Sequence, residues 1–495
     1  MAHDDSALPK ALADFVFDLF DSVTLSQQTE EQTKLYETDF RELSNKYAHE
    51  PWPSPQAIAS ECNGQPLFLA LYREMTHRHS VARPSIRDRM EGWQVYRELF
   101  DEILDQETNF YLIPSWVFDI LHEFVYQFQG FCQTRSSVFA SARKNGLLNA
   151  DGTLREGGAG NAPLSLVENM TVLRNATDTW DAESVYSYLE RLGSLPETSP
   201  VAYHFKTFGA IALSRLECLM GKFDKSLEAL DRIPPAATII PQEEGITVEE
   251  SLQQVFAARL SMNYHAGVGY LMMRRYKDAI ACLSEIALVM LRGFKTGQLR
   301  KLPGSEQFSK QYDRIMSLLA ILNYICPGNL DDALAKVVRE KFGSNLDGAT
   351  SLEDWFACPK FISTDPMEAS QRQQVQLFND EMSHMVGYLQ TRSFLKLYSK
   401  ISLEKLAGLH ELASVDEMLS LLMSYKDHMN QPKRTGASWS QGAKESALDV
   451  SFDIADGMVT VSAAKKEYRF ETYFRSQIEQ AIEIGREAAK IDTVV

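Results

Sequence analysis

The chain has 495 residues, which is enough for about three domains and a large buried core. It carries 50 lysines and arginines against 67 aspartates and glutamates, a net charge of −17, so any contact with nucleic acid must come from local basic patches. Six scattered cysteines without a CxxC pair, an acidic N-terminus and the lack of an 18-residue apolar run predict a soluble protein of a reducing compartment with no membrane segment.

Helical periodicity dominates residues 1–142, for which we predict an N-terminal helical region. Apolar residues recur at spacings of three and four in Ala11–Val23 and in Gln65–His79. The segment that begins at Pro114 has apolar residues on two neighbouring sides. So broad an apolar surface needs two packing partners, which favours a stacked helical array.

A glycine-rich stretch follows this region. Five glycines and no lasting periodicity between Arg143 and Asn161 indicate a mobile connection. We therefore assign residues 143–198 to a flexible connection and an entry helix.

Residues 199–390 contain one motif twice. Gly221–Ile233 aligns without a gap with Arg274–Ile286, and an apolar helical run precedes each stretch. The pattern predicts a repeated helix hairpin that resembles tetratricopeptide pairs, with an irregular repeat because the offset from 221 to 274 is 53 residues, against a usual period of about 34. We expect Arg274 and Arg275 to lie at the bend of the second hairpin and to leave positive charge on the rim of the array. Mutation of both to alanine is then expected to leave the fold nearly intact.

Residues 391–466 read as three short helices and a two-stranded hairpin, the order of a winged helix. Asp456 and Gly457 form a dipeptide favoured in two-residue hairpin turns, between two strictly alternating segments. This turn places Ile454 opposite Val459, and the same register pairs Phe452 with Val461, Val450 with Ala463, Asp453 with Thr460 and Ser451 with Ser462.

Residues 467–495 are predicted to form a C-terminal helix. Its apolar stripe has a four-residue spacing and consists of Phe470, Phe474, Ile478 and Ile482. The complete fold prediction is a mainly α protein with an irregular helical-repeat, tetratricopeptide-like solenoid, a winged-helix module and a C-terminal helix.

This architecture is that of PCI-domain proteins, which act as scaffolds in large assemblies. The strings "PWPSPQAIA", "WVFDILHEFVYQFQGF", "YLMMRRYKDAI", "CPKF" and "RSFLKLYSKISLEKLAGL" resemble, in the same order, subunit L of eukaryotic translation initiation factor 3. The resemblance covers nearly the whole chain from about Pro51 onward.

The resemblance implies a non-catalytic, cytoplasmic scaffold subunit that supports assembly of initiation factor 3 on the small ribosomal subunit, beside subunit K and neighbouring PCI subunits. It implies no cofactor or metal, and it leaves direct contact with RNA open. A PCI scaffold of the proteasome-lid or signalosome type would share the architecture. A hydrolase within a helical fold would need a cleft with perturbed ionisable groups.

Three surfaces are candidates for partner binding. The first is the wing edge after Met458, with Val459 and Val461, because a free edge strand can pair with another chain. The second is the C-terminal stripe, which alternatively packs against its own winged helix. The third is a basic rim of Arg274, Arg275, Arg292, Lys295, Arg300 and Lys301, and the stretch Arg73–Arg89 is similarly basic. These cations are expected either to contact ribosomal RNA or an acidic subunit, or to be solvated loop charges.

Sequence motifs for catalysis do not stand out. There is no HExxH, no GxSxG and no phosphate loop with its lysine. We therefore expect no catalytic, cofactor-binding or metal-binding residues.

Overall fold

A computed structural model describes most of the chain. The described residues are 9–24, 29–46, 52–80, 85–105, 110–149, 152–153, 155, 163–176, 178–196, 199–241, 243, 245–301, 305–346, 352–463, 474, 477–478, 481–482 and 485. The chain divides into two compact units. The first unit is Met1–Ile325, Asn329–Met382 and Gln431–Glu445, and the second is Cys326–Gly328, Ser383–Asn430 and Ser446–Val495.

The first unit begins with a series of helices, and a π-helical turn at Leu35–Asp39 joins the second to the third. They are α1 (Lys10–Thr24), α2 (Thr29–Lys34), α3 (Phe40–Lys46), α4 (Pro55–Ile58), α5 (Pro66–Ser80), α6 (Ile86–Asp105), α7 (Pro114–Lys144), α8 (Leu164–Asn175) and α9 (Ala182–Leu192). The predicted helices Ala11–Val23 and Gln65–His79 are confirmed as α1 and α5.

Helix α7 is the structural centre of this region. Both of its apolar stripes are buried, among them Trp116, Val117, Phe124 and Val125. It packs against α6, α8 and α10 (Pro200–Leu219). The prediction that this helix needs more than one packing partner is therefore confirmed. A helix that is apolar on two sides leaves apolar surface in water unless neighbouring helices cover both sides.

The solenoid continues through α10 with pairs of helices. They are α11 (Phe223–Leu230), α12 (Val248–Gln254), α13 (Phe256–Met272), α14 (Tyr276–Thr296), α15 (Gln298–Lys301), α16 (Ser305–Ile325) and α17 (Asp332–Leu346). The hairpins α10–α11 and α13–α14 are the two that the sequence repeat predicts, and both are confirmed.

The two hairpins share one turn geometry. Gly221 has φ 75° and Arg274 has φ 62°, so both residues are left-handed. In each turn the next amide donates to the carbonyl five residues earlier, Lys222 N to Glu217 O at 2.9 Å and Arg275 N to Tyr270 O at 2.8 Å. This is the Schellman arrangement, in which glycine normally takes the left-handed position. Arg274 therefore occupies a backbone site that costs a side-chain residue about 1 kcal/mol relative to glycine.

Two glycines in α13 have different environments. A Cβ atom at Gly267 would lie 2.5 Å from Leu283 Cδ2, whereas one at Gly269 would meet Phe223 Cβ at 3.8 Å, an ordinary contact. At Gly267, therefore, α13 and α14 lie close enough together to leave no room for a side chain.

The second unit contains the winged helix. Its elements, with the long helix that supplies residues to both units, are α18 (Ser370–Leu397), β1 (Lys400–Ser402), α19 (Leu403–Leu409), α20 (Val415–His428), β4 (Val450–Ala455) and β5 (Met458–Ala463). Strands β2 (Asn430–Lys433) and β3 (Ala443–Ser446) fall almost entirely within residues 431–445, which belong to the first unit. Strands β1, β5 and β4 form an antiparallel sheet in that order, and β2 pairs with β3.

The predicted hairpin register is confirmed in full. Ile454 pairs with Val459 and Phe452 with Val461, and the other three pairs follow in the same register. Asp456 and Gly457 both have positive φ, 51° and 71°, as a two-residue turn of this hand requires. The fold class is therefore confirmed: helical repeats followed by a winged-helix module.

The proposed domain limits remain predictions. Helix α7 extends to Lys144, past the expected limit at 142, and α18 is continuous through the expected limit at 390. Residues 143–198 include α8 and α9. The C-terminal helix is helical at 474, 477–478, 481–482 and 485, and Phe470 lies outside the described residues.

Candidate interaction surfaces

Arg275 forms a buried clamp in the first unit. Its side chain is 2% exposed and pairs with Asp278, which is 6% exposed, at 2.7 Å from Nη2. Nη1 donates to the carbonyl oxygen of Ser440 at 2.6 Å, and Nη2 donates to that of Gln441 at 3.2 Å. The guanidinium carbon also lies 4.7 Å from the centre of the Tyr270 ring. We call the segment Arg434–Gly442, which these contacts hold, the docked loop.

The structure corrects the prediction that Arg275 contributes to a basic rim. The arginine lies at the bend of the hairpin, as expected, but its charge is paired inside the protein with Asp278, and two backbone carbonyls accept its remaining hydrogen bonds. The expectation that replacement of both arginines leaves the fold nearly intact loses its basis for Arg275. Asp278 is only three residues away, but Ser440 and Gln441 follow Arg275 by 165 and 166 residues. No local sequence signal could have revealed these two partners.

Further polar contacts hold the docked loop. The Asp231 carboxylate accepts hydrogen bonds from Trp439 N, from Ser440 N and Oγ, and from Ser438 Oγ at 3.1 Å. Burial opposes ionisation of Asp231, but these hydrogen bonds outweigh it and lower the pKa of the carboxyl below its ordinary value. Tyr270 donates from its hydroxyl to the carbonyl of Trp439 at 2.7 Å.

The ends of the docked loop are also constrained. Arg434 N donates to both oxygens of Asp278 at 3.0 Å, and the Arg434 guanidinium lies 4.0 Å from the centre of the Trp439 ring. At the other end, a Cβ at Gly442 would lie 2.5 Å from the Lys433 carbonyl oxygen. Only glycine fits there without a shift of the backbone.

Arg274 has a different environment from its neighbour. Its side chain is 55% exposed and forms an ion pair with Glu381 at 2.8 Å. Such an exposed pair contributes at most about 1 kcal/mol. Of the two adjacent arginines, this is the one that the rim prediction describes.

The structure also corrects the predicted wing edge. Strand β5 is the central strand, with β1 on one side through Ile401 and Val459 and β4 on the other. Val459 is fully buried, and Val461 is half-buried with its amide donating to Ser399 O at 2.8 Å. The backbone of β5 therefore offers no free edge for a partner strand, and the outer strands of this sheet are β1 and β4.

The C-terminal stripe is exposed where it is described. Phe474, Ile478 and Ile482 each expose at least half of their surface. Their spacing of four residues places them on one side of a helix.

The remaining cations of the proposed rim lie at the surface. Arg292 and Lys295 are exposed near the end of α14, and Arg300 and Lys301 are exposed on α15. The earlier basic stretch differs, because Arg78 within it is paired with the buried Glu74 at 2.8 Å.

Glu74 belongs to an internal cluster of ionisable groups. Tyr96 donates to it at 2.8 Å, and Arg78 also donates to the Tyr36 hydroxyl at 2.8 Å. Burial raises the pKa of Glu74, and the charge of Arg78 opposes that effect. A second internal cluster joins Arg215 Nη1 to the His122 ring at 2.9 Å.

A cavity of about 540 Å³ in the first unit is lined by residues outside these two clusters. It lies between α7, the segment around Phe361 and the start of α18, and Cys132 contributes to it. Burial raises the pKa of the Cys132 thiol to about 11, so this sulfur is protonated at neutral pH. Neither Glu74 nor the Arg215 cluster lines this cavity. Within the described part of the chain, no group of three or more potential metal ligands occurs, and no helix is long and apolar enough to cross a membrane.

Comparison with known proteins decides the family. The family model described as "RNA polymerase I-associated factor PAF67" matches residues 88–481, which include most of the solenoid and the entire winged helix. The chain belongs to the PAF67 family.

Relatives of this PAF67 chain share one name. The protein called eukaryotic translation initiation factor 3 subunit L from Nematostella vectensis is 27% identical over 97% of this chain and 93% of its own length. The protein of that name from Mycosarcoma maydis is 26% identical over 95% of this chain and 72% of its own length. The one from Homo sapiens is 27% identical over 92% of this chain and 83% of its own length. The resemblance to subunit L is confirmed.

Proposed function

We propose that this PAF67-family chain is a non-catalytic scaffold subunit of eukaryotic translation initiation factor 3. In this role it supports assembly of the factor on the small ribosomal subunit during initiation of protein synthesis. The observation that carries the proposal is the similarity to subunit L along nearly the entire chain in animals and a fungus. Because the match spans both units, it applies to the whole architecture and not to one module.

Scaffold function requires exposed partner surfaces, and two of the predicted ones remain suitable. The C-terminal stripe, which is exposed at Phe474, Ile478 and Ile482, fits a helix bundle with partner subunits, among them subunit K and neighbouring PCI subunits. The exposed cations Arg292, Lys295, Arg300 and Lys301 fit contact with an acidic subunit or with ribosomal RNA.

We propose no catalytic role and a cytoplasmic location. The relatives are translation initiation factors by name. The ionisable clusters around Glu74 and Arg215 are held by internal partners, so their shifted pKa values have a structural cause.

The family description offers a second candidate, association with RNA polymerase I. The two candidates differ in compartment and in partners. Relatives from animals and a fungus carry the initiation factor name, which favours the first.

The test is a nuclease-treated sucrose gradient of lysate that contains a tagged copy of the chain, with mass spectrometry of every fraction that holds the tag. We expect co-migration with the other initiation factor 3 subunits and with the small ribosomal subunit. Co-migration with RNA polymerase I, with proteasome-lid or signalosome subunits, or a light peak without partners would refute the proposal.

A further inference from the structure

Helix α20, the third helix of the winged helix, has two apolar sides. Met418, Leu422 and Tyr425 are buried in the second unit. Val415, Leu419 and Met423 are exposed at intervals of four residues. We call these three residues the α20 ridge, and at 1.5 Å per residue it is about 12 Å long.

Carboxylates flank the α20 ridge. At about 100° per residue, Asp416 and Asp427 lie on the side of the ridge that faces away from the buried residues. Both are exposed, and neither forms an ion pair within the part of the chain that the structure describes. These two acids therefore give the flank a negative charge that no side-chain cation in the described part of the chain pairs with, although Asp416 also lies in the first turn of α20, where the helix dipole favours a carboxylate.

Lys426, the lysine of α20 beside the ridge, is already engaged. Lys426 Nζ donates to the backbone carbonyl oxygen of Phe452 at 3.1 Å and lies 5.6 Å from the centre of the Phe452 ring. It also forms an ion pair with Asp453 at 3.5 Å. The surface that remains for a partner is apolar along the ridge and acidic along its flank.

This chemistry does not suit nucleic acid. The second helix of a helix-turn-helix reader, which enters the major groove, approaches phosphates that attract cations. Exposed aspartates along α20 would repel those phosphates, and the apolar side chains of the ridge offer no hydrogen-bond donors to phosphates or base edges. A protein helix is the better occupant, because ridges at a four-residue spacing pack into the grooves of another helix.

We propose that the α20 ridge is the docking surface for an amphipathic helix of another protein subunit. That helix carries aliphatic side chains at a four-residue spacing, and lysine or arginine on the flank that faces Asp416 and Asp427. The inference rests on the proposed function, since the partner is expected within the same assembly.

The first test is photo-crosslinking in the intact assembly. Benzoylphenylalanine replaces Met423, which is 55% exposed, in a tagged full-length chain, and it replaces Leu377, which is 57% exposed on α18, in the control. After irradiation and purification, mass spectrometry identifies the crosslinked peptide. We expect a helical segment with the stated apolar and basic pattern from the Met423 position and not from the Leu377 position.

The second test measures retention of the crosslinked subunit. Met423→Asp, and separately Asp416→Lys combined with Asp427→Lys, are each expected to weaken it about 10- to 30-fold, the range of an interface hot spot. Leu377→Asp should leave it unchanged. All of these positions are exposed, and circular dichroism checks that each variant is folded.

The outcomes separate the two proposals. A wild-type chain that fails to join initiation factor 3 removes both. Co-migration of the wild-type chain with a crosslink to RNA, to an extended strand or to an acidic segment, or with no crosslink, overturns the docking surface alone. Full retention by both sets of variants also overturns it.

Discussion

Replacement of Arg275 by methionine should release the docked loop. Methionine keeps the apolar stem beside Tyr270 but removes the donors to Asp278, Ser440 and Gln441. Asp278, at 6% exposure, is then left as a buried carboxylate without its cation. Loss of one partner of such a pair costs about 3–5 kcal/mol, far more than an exposed pair is worth.

Hydrogen exchange measures this effect locally. The amides of Arg434, Trp439 and Ser440 donate to Asp278 or Asp231 and are expected to be protected in the wild-type chain. A cost of about 3–5 kcal/mol corresponds to a loss of protection of roughly 140- to 4000-fold, limited by free exchange of the opened loop. The change should be confined to the docked loop and the α13–α14 turn.

Arg274→Ala is the matched control, because it removes an adjacent arginine whose ion pair with Glu381 is exposed. Its expected cost is at most about 1 kcal/mol. The double variant Arg275→Met with Asp278→Asn should recover part of the loss, since it removes the unpaired charge. If Arg275→Met retained protection within about threefold of the wild type, the clamp would not be what holds the loop.

Four further substitutions test the solenoid and the loop. Gly267→Ala should lower the free energy of unfolding by about 1–3 kcal/mol, because the added Cβ collides with Leu283. Gly269→Ala should be neutral or stabilising by up to about 1 kcal/mol. Urea unfolding measures both variants, and equal effects would refute the close contact assigned to Gly267. Gly442→Ala should open the docked loop to limited proteolysis while the thermal stability of the solenoid is kept, and unchanged cleavage would count against the constraint. Burial lowers the pKa of His265 to about 3. The contribution of this shift to the free energy of unfolding is therefore fully present above the ordinary pKa of about 6.5, and it is lost as the pH falls toward 3. Between about pH 7 and 5 this shift lowers the free energy of unfolding of the wild type by about 2 kcal/mol. His265→Gln should lack that decrease in urea unfolding, and a variant with the pH slope of the wild type would contradict the shift.

Local features were predictable from the sequence because their causes are local. The β4–β5 register follows from an alternation of period two and from a two-residue turn that fits Asp456 and Gly457. The repeated helix hairpin follows from the aligned apolar positions around residues 221 and 274, and its turn has the same hydrogen bonds in both copies. The full-length resemblance added the family, which spacing alone could not supply.

Tertiary structure decided the environment of the candidate residues. Strand β1, at Lys400–Ser402, pairs with β5 and turns a predicted edge into the centre of a sheet. The docked loop turns one of two adjacent arginines into a buried clamp and leaves the other at the surface. The sequence by itself determined the helices, their hairpins and the wing turn, since these depend on neighbours within a few residues. Burial and pairing depend on segments that are tens to hundreds of residues apart, and only the folded chain brings those together.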